Sequence, residues 1–180
     1  TDLSKAFDCL VYDLFIAKLH PYGFDYLSVK LIHSYLTDRK QRIRINASFS
    51  TWSDILVGVP QGSVLGPNLY NINSNYLFLF LLLDIANYAD DNSPFSVAPT
   101  IPQVISELHA ESQVLLTWIR NNGLKANPDK FHLLLSDSSK EHSMEIEKNS
   151  IQNSQYEKLL GIKIDNKFTF DEHVKSICTK

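Results

Sequence analysis

The chain has 180 residues, 44% of them hydrophobic, and a formal net charge of −3. That is ample apolar material for one folded domain and excludes disorder as the default state. The acidic balance argues against attachment to nucleic acid or to a membrane surface through overall charge alone.

In chain order, residues 13–20 (DLFIAKLH) predict a short helix capped by Asp13 and stopped near Pro21 and Gly23. A second helix is expected over 25–36, with Leu27, Leu31 and Tyr35 on its apolar face. In RKQRIRINASFSTW, Arg42 and Arg44 alternate with Ile43 and Ile45, the pattern of a half-buried strand. A turn over 46–48 then leads to another strand near 49–57. Residues 59–67 (VPQGSVLGP) form a Gly- and Pro-rich loop entering a helix. The apolar run 76–83 is expected to bury itself and to open a strand–turn–strand unit with NYADDN.

Residues 101–122 give the clearest helix. Ile101, Val104, Ile105, Leu108, Leu115 and Trp118 share one face, Thr100 stands at the start, and Gly123 supplies the stop. FHLLLS (131–136) and KLLGIKID (158–165) read as strands, and Thr169 with Glu172 predicts a capping box for a last helix. Helices mixed with antiparallel hairpins, without a strict βαβ rhythm, indicate an α+β fold.

Cys9 and Cys178 lack paired spacing and read as ordinary thiols of a reducing compartment. The histidines show no zinc-ligand spacing. The run 76–83 is far shorter than the roughly 20 apolar residues a bilayer-spanning helix needs, so no membrane partner is expected. There is no leader or initiating methionine, and the chain is expected to be a piece of a longer polypeptide.

The chemistry centres on Asp90 and Asp91. Adjacent carboxylates repel, but they become favourable when a divalent cation sits on them, and all-oxygen donors suit Mg2+ or Mn2+. Read alone, the pair is a solvated acidic turn, since Asp favours turns. Two further stretches change that weighting: DLSKAFD (2–8) and GVPQGSVLGP (58–67). Together with YADD (88–91) they resemble, in order, the motifs of reverse transcriptases, most closely those of LINE-type non-LTR retrotransposons. The resemblance continues through GLKANPDKF (123–131) and KLLGIKID and covers essentially the whole chain.

The resemblance implies a partial reverse transcriptase domain over 1–180, carrying motifs A to E. It implies a polymerase palm, an antiparallel sheet backed by helices, truncated so that fingers and thumb belong to missing segments of a parent polyprotein. Asp2 becomes the motif A carboxylate and Asp90 with Asp91 the motif C pair, together holding two Mg2+ ions, with Mn2+ as a substitute. Phe7 would lie beneath the nucleotide sugar, and Gln61 and Gly62 would border the incoming nucleotide. Lys130 would serve the leaving pyrophosphate, and residues 159–162 would form the primer-supporting hairpin. The substrates implied are an RNA template, a DNA primer and dNTPs. Out of that context Phe7 is equally a core residue, Gln61–Gly62 a plain turn, Lys130 a surface lysine and 159–162 a core strand.

Arg39, Lys40, Arg42 and Arg44 form the one local basic patch, suited to template phosphates or simply to a solubilising face. Two departures from the family pattern stand out. Asn73 occupies an apolar place, where it fits a buried face only if it finds partners. Tyr76 replaces an expected aspartate. An inactive remnant of such an element, and an unrelated Mg2+-dependent phosphoryl-transfer domain, are the competing readings. An intact retroelement enzyme would work in the nucleus or cytoplasm, and no basic import run is present.

Overall fold

The computed structural model describes residues 6–88, 91–136 and 140–179. Five α-helices are interleaved with eleven short strands among these residues, an α+β arrangement as expected. After a 3-10 turn over Ala6–Asp8, helix α1 spans Tyr12–Leu19 and α2 spans Tyr26–Leu36. Asp13 is not the cap of α1. It lies inside the first turn, and Val11 occupies the cap position without a side-chain bond. Asp25 caps α2 by accepting from the Ser28 amide at 2.9 Å.

The buried face of α2 is only in part the one expected: Tyr35 packs on the core, but Leu27 and Leu31 do not. Leu27 and Leu31 are 73% and 72% exposed, whereas Val29 and Leu36 are buried, with Ile32 and Tyr35 packed against the same cluster. Both sets of residues have helical spacing, and only the position of α1 selects between them.

Strands β1 (Arg39–Gln41) and β4 (Ser53–Ile55) pair antiparallel, and β2 (Arg44–Ile45) pairs with β3 (Ser48–Phe49) beyond them. The expected half-burial of this region is absent: Ile43 and Ile45 are as exposed as the arginines they alternate with. Helix α3 (Leu65–Asn75) leads into a 3-10 turn over Tyr76–Leu79 rather than a strand. The apolar run does not bury itself as a unit. Leu77 is buried, but Leu79, Phe80 and Leu82 are exposed, because a one-turn helix followed by coil cannot turn every side chain inward.

The hairpin of β5 (Asp84–Tyr88) and β6 (Asp91–Phe95) follows, in register from Asp84↔Phe95 to Tyr88↔Asp91. Helix α4 (Ile101–Asn121) is the longest element, and its apolar face is the expected one. Thr100 stands at its N-cap in extended conformation without a side-chain bond.

Of the expected strand 131–136, Leu133–Leu134 (β7) is paired, running parallel to β9 (Asn149–Ser154), which also pairs antiparallel with β8 (Ser143–Ile146). The β8–β9 hairpin was not anticipated. KLLGIKID is not one strand but the arms of a hairpin, β10 (Tyr156–Leu159) and β11 (Ile162–Asp165). Its turn residues Leu160 and Gly161 both have positive φ, as two-residue hairpin turns prefer.

The capping box at the last helix, α5 (Asp171–Cys178), is also absent. The Thr169 hydroxyl and amide both donate to Asp165 instead, and Glu172 pairs with Lys175. Among the described residues the strands lie in five small sheets. Among the described residues no helix is long and apolar enough to cross a membrane.

Candidate active site

The amino-terminal segment and the Gly58 loop are fastened backbone to backbone. The Gly58 amide donates to Leu10 O at 2.8 Å and the Val59 amide to Phe7 O at 2.8 Å. The approach is so close that a Cβ on Gly58 would lie 2.8 Å from Asp8 Cα, and Gly58 also has a φ of +85°, so only glycine fits. One side-chain bond extends this fastening: Gln61 Nε2 donates to Asp8 Oδ1 at 2.7 Å. Gln61 is exposed, and Gly62 beside it has a φ of +77° with open space where a Cβ would stand.

Phe7 is half-buried and tilts against Tyr70 of α3 at a centroid distance of 4.6 Å. It packs on a buried cluster made of Tyr70, Leu77, Leu115, Trp118, Ile119 and Leu124. Ile85 of β5 and Ala126 pack on the same cluster. Residues of the amino-terminal turn, α3, β5, α4 and the segment following α4 therefore share one apolar anchor. Burial of such a cluster contributes on the order of 25 cal/mol per Å2 of apolar surface removed from water.

Asp91 opens β6, half-buried, directly opposite Tyr88. It lines a cleft of about 620 Å3 that Lys130, His132, Leu159 and Phe168 also line. Asp91 and Lys130 thus face one space, while Phe7, Gln61 and Gly62 lie outside that lining. Lys130 ends a 3-10 turn over Pro128–Lys130, fixed by its amide donating to Asn127 O at 3.0 Å. Below Asp91, buried Asn92 accepts from Asn87 Nδ2 at 2.9 Å, which ties the two strands side chain to side chain. Buried Glu111 of α4 accepts from the Leu82 amide at 3.0 Å and so fixes the segment entering the hairpin.

Asp2 and Asp90 lie outside the described residues, and their placement relative to Asp91 is not part of this geometry. Among the described residues no group of three or more His, Cys, Asp or Glu side chains could hold a metal ion.

The basic patch divides. Arg39 is turned inward: its Nε donates to Leu36 O at 2.9 Å, and its Nη2 donates to Tyr12 Oη at 2.7 Å and to Gly58 O. Lys40 pairs with Asp54 across β1–β4 at 3.5 Å. Arg42 and Arg44 stand on exposed aromatic rings.

Asn73 finds the partners its burial requires. Lys18 Nζ donates to Asn73 O at 3.0 Å and to Asn73 Oδ1 at 2.7 Å, and also to Asn122 Oδ1. The same ammonium lies over the rings of Trp118 and of Tyr76. Burial pulls the Lys18 pKa down from 10.5 to about 8.

The sequence profile described as "Reverse transcriptase (RNA-dependent DNA polymerase)" matches residues 1–164. The chain belongs to the reverse transcriptase family. It is 30% identical to the probable RNA-directed DNA polymerase from transposon BS of Drosophila melanogaster, over 97% of this chain and 20% of that protein. It is also 30% identical to the RNA-directed DNA polymerase from mobile element jockey of the same species, over 98% of this chain and 20% of the relative. A probable RNA-directed DNA polymerase from transposon X-element is 27% identical over 83% of this chain. The chain thus spans about one fifth of the length of the curated relatives it matches most fully, and the likeness to retrotransposon enzymes read from its motifs stands.

Proposed function

We propose that this chain forms the palm of an RNA-directed DNA polymerase that adds dNTPs to a DNA primer along an RNA template, within a longer polypeptide that supplies fingers and thumb. The observation that supports this reading is the shared anchor: Phe7 of 2–8 and Leu124 of 123–131 meet on one cluster with Tyr70 of α3 and Ile85 of β5, which flank the stretches 58–67 and 88–91 in sequence.

Asp2, Asp90 and Asp91 are the carboxylates that would hold the metal. Three oxygen donors without sulfur or imidazole fit hard divalent cations such as Mg2+ or Mn2+. When bound, a pair of such ions would neutralise the charge that builds on the entering and leaving oxygens of an in-line displacement. The chain's own residues do the positioning. Phe7, supported from behind by Tyr70, presents a flat edge for the sugar of the incoming nucleotide. Gln61, held by Asp8, borders that nucleotide, and the open side of Gly62 admits it closely. Lys130 supplies a proton or a positive charge to the leaving pyrophosphate.

Primer extension on poly(rA) with Mg2+ tests this, comparing the chain with a version carrying Asp90→Asn and Asp91→Asn. With the chain set in its longer polypeptide, extension by the unaltered form and its loss, at least ~100-fold, in the altered one is the expected result. Equal background in both would assign the chain to a non-catalytic remnant.

A further inference from the structure

Hairpin β2–β3 is short, exposed on both faces and rich in side chains that an isolated two-stranded unit does not need. The Arg42 guanidinium carbon lies 4.0 Å from the centroid of Phe49 and 4.6 Å from that of Trp52. Arg44 covers Phe49 at 5.5 Å, and its Nε donates to Asn46 O at 2.9 Å. Both rings nevertheless stay open to water, Phe49 at 50% and Trp52 at 60%. Among the described residues no ion pair involves Arg42 or Arg44. Two uncompensated cations are therefore held in fixed orientation by aromatic faces whose remaining surface is available.

We propose that this hairpin binds single-stranded nucleic acid, stacking bases on Phe49 and Trp52 while Arg42 and Arg44 meet the phosphates. The inference rests on the nucleic-acid reading above and adds to it the class of ligand and the mode of contact. Unpaired bases offer π faces to exposed rings, whereas a duplex keeps its bases stacked inside. The positive charge complements the phosphate backbone, which an apolar protein partner would not need.

Fluorescence anisotropy with labelled oligo(rU) and a duplex of the same length tests it. Trp52 and buried Trp118 are the two tryptophans of the chain, so quenching on binding reports on the exposed one. Oligo(rU) is expected to bind better than duplex and to quench fluorescence. Phe49→Leu with Trp52→Leu is expected to weaken binding about tenfold at constant salt and to leave the salt dependence unchanged. Arg42→Gln with Arg44→Gln is expected to flatten the salt dependence instead. Unchanged affinity in the aromatic variant, or equal binding of duplex, would overturn the inference, and primer extension retained in that case would show the polymerase reading intact. Absent extension with tight, ring-dependent oligo(rU) binding would count against the polymerase reading alone.

Discussion

Arg39 and Arg42 are separated by two residues and carry the same charge, yet they sit in opposite settings. Arg39 closes the junction at which the end of α2, Tyr12 of α1 and the Gly58 loop meet: its guanidinium donates to three oxygens there and lies over the Tyr12 ring. Arg42 rests on two exposed rings and has no carboxylate partner among the described residues. A run of basic residues is therefore not one functional unit. Whether a guanidinium serves the fold or a ligand depends on what surrounds it.

The sharpest break of this contrast is at Gly58. An alanine there meets the backbone of Asp8 and must hold a positive φ, so Gly58→Ala is expected to cost ~3 kcal/mol or more. Urea denaturation would show it as a lowered midpoint, and a midpoint unchanged from the parent would show that the junction is not as tight as its distances indicate. Next in size is Arg39→Met, which strips Gly58 O and Tyr12 Oη of a charged donor and is expected to cost about 1–3 kcal/mol. Arg42→Met, by contrast, should stay within about 0.5 kcal/mol of the parent, as surface changes do. Equal losses at the two positions in paired denaturation curves would dissolve the distinction.

A further effect concerns Lys18, a cation half-buried like Arg39 but able to titrate. Its folded pKa, about 8, lies below the ordinary 10.5, so between these values the unfolded chain binds the additional proton. Stability should rise with pH across that window, and this contribution is lost as pH falls through it. Lys18→Met should flatten the rise, measured as the difference between the two proteins' denaturation midpoints at each pH.

The same contrast explains what could be read in the sequence. Helix α4 was legible because twenty-one residues repeat one periodicity over several turns, and local noise averages out. Over the eleven residues of α2 two apolar sets compete, and only packing decides between Leu27–Leu31 and Val29–Leu36. The β8–β9 hairpin had a signal, the alternation of buried Met144 and Ile146, but two residues are too few to weigh. The run 76–83 departs from its expected burial because hydrophobicity states a preference for burial, not the presence of something to cover it.

At the site, the resemblance pointed to Asp91 and Lys130, and both line one cleft. What the motifs could not reveal was the division of the basic patch, or that Phe49 and Trp52 carry its outer half. Those are facts about which side chains meet across a turn. Asn73 is the converse case: an apparent misfit in its helix, it is satisfied by Lys18 from a helix fifty-five positions away in sequence.

The central claim is that Asp2 and the Asp90–Asp91 pair act as one ligand set, and Mn2+ binding followed by electron paramagnetic resonance tests it most directly. The account predicts that Asp2→Asn weakens Mn2+ binding as clearly as Asp91→Asn does. Wild-type Mn2+ affinity in Asp2→Asn, alongside its loss in Asp91→Asn, would contradict it.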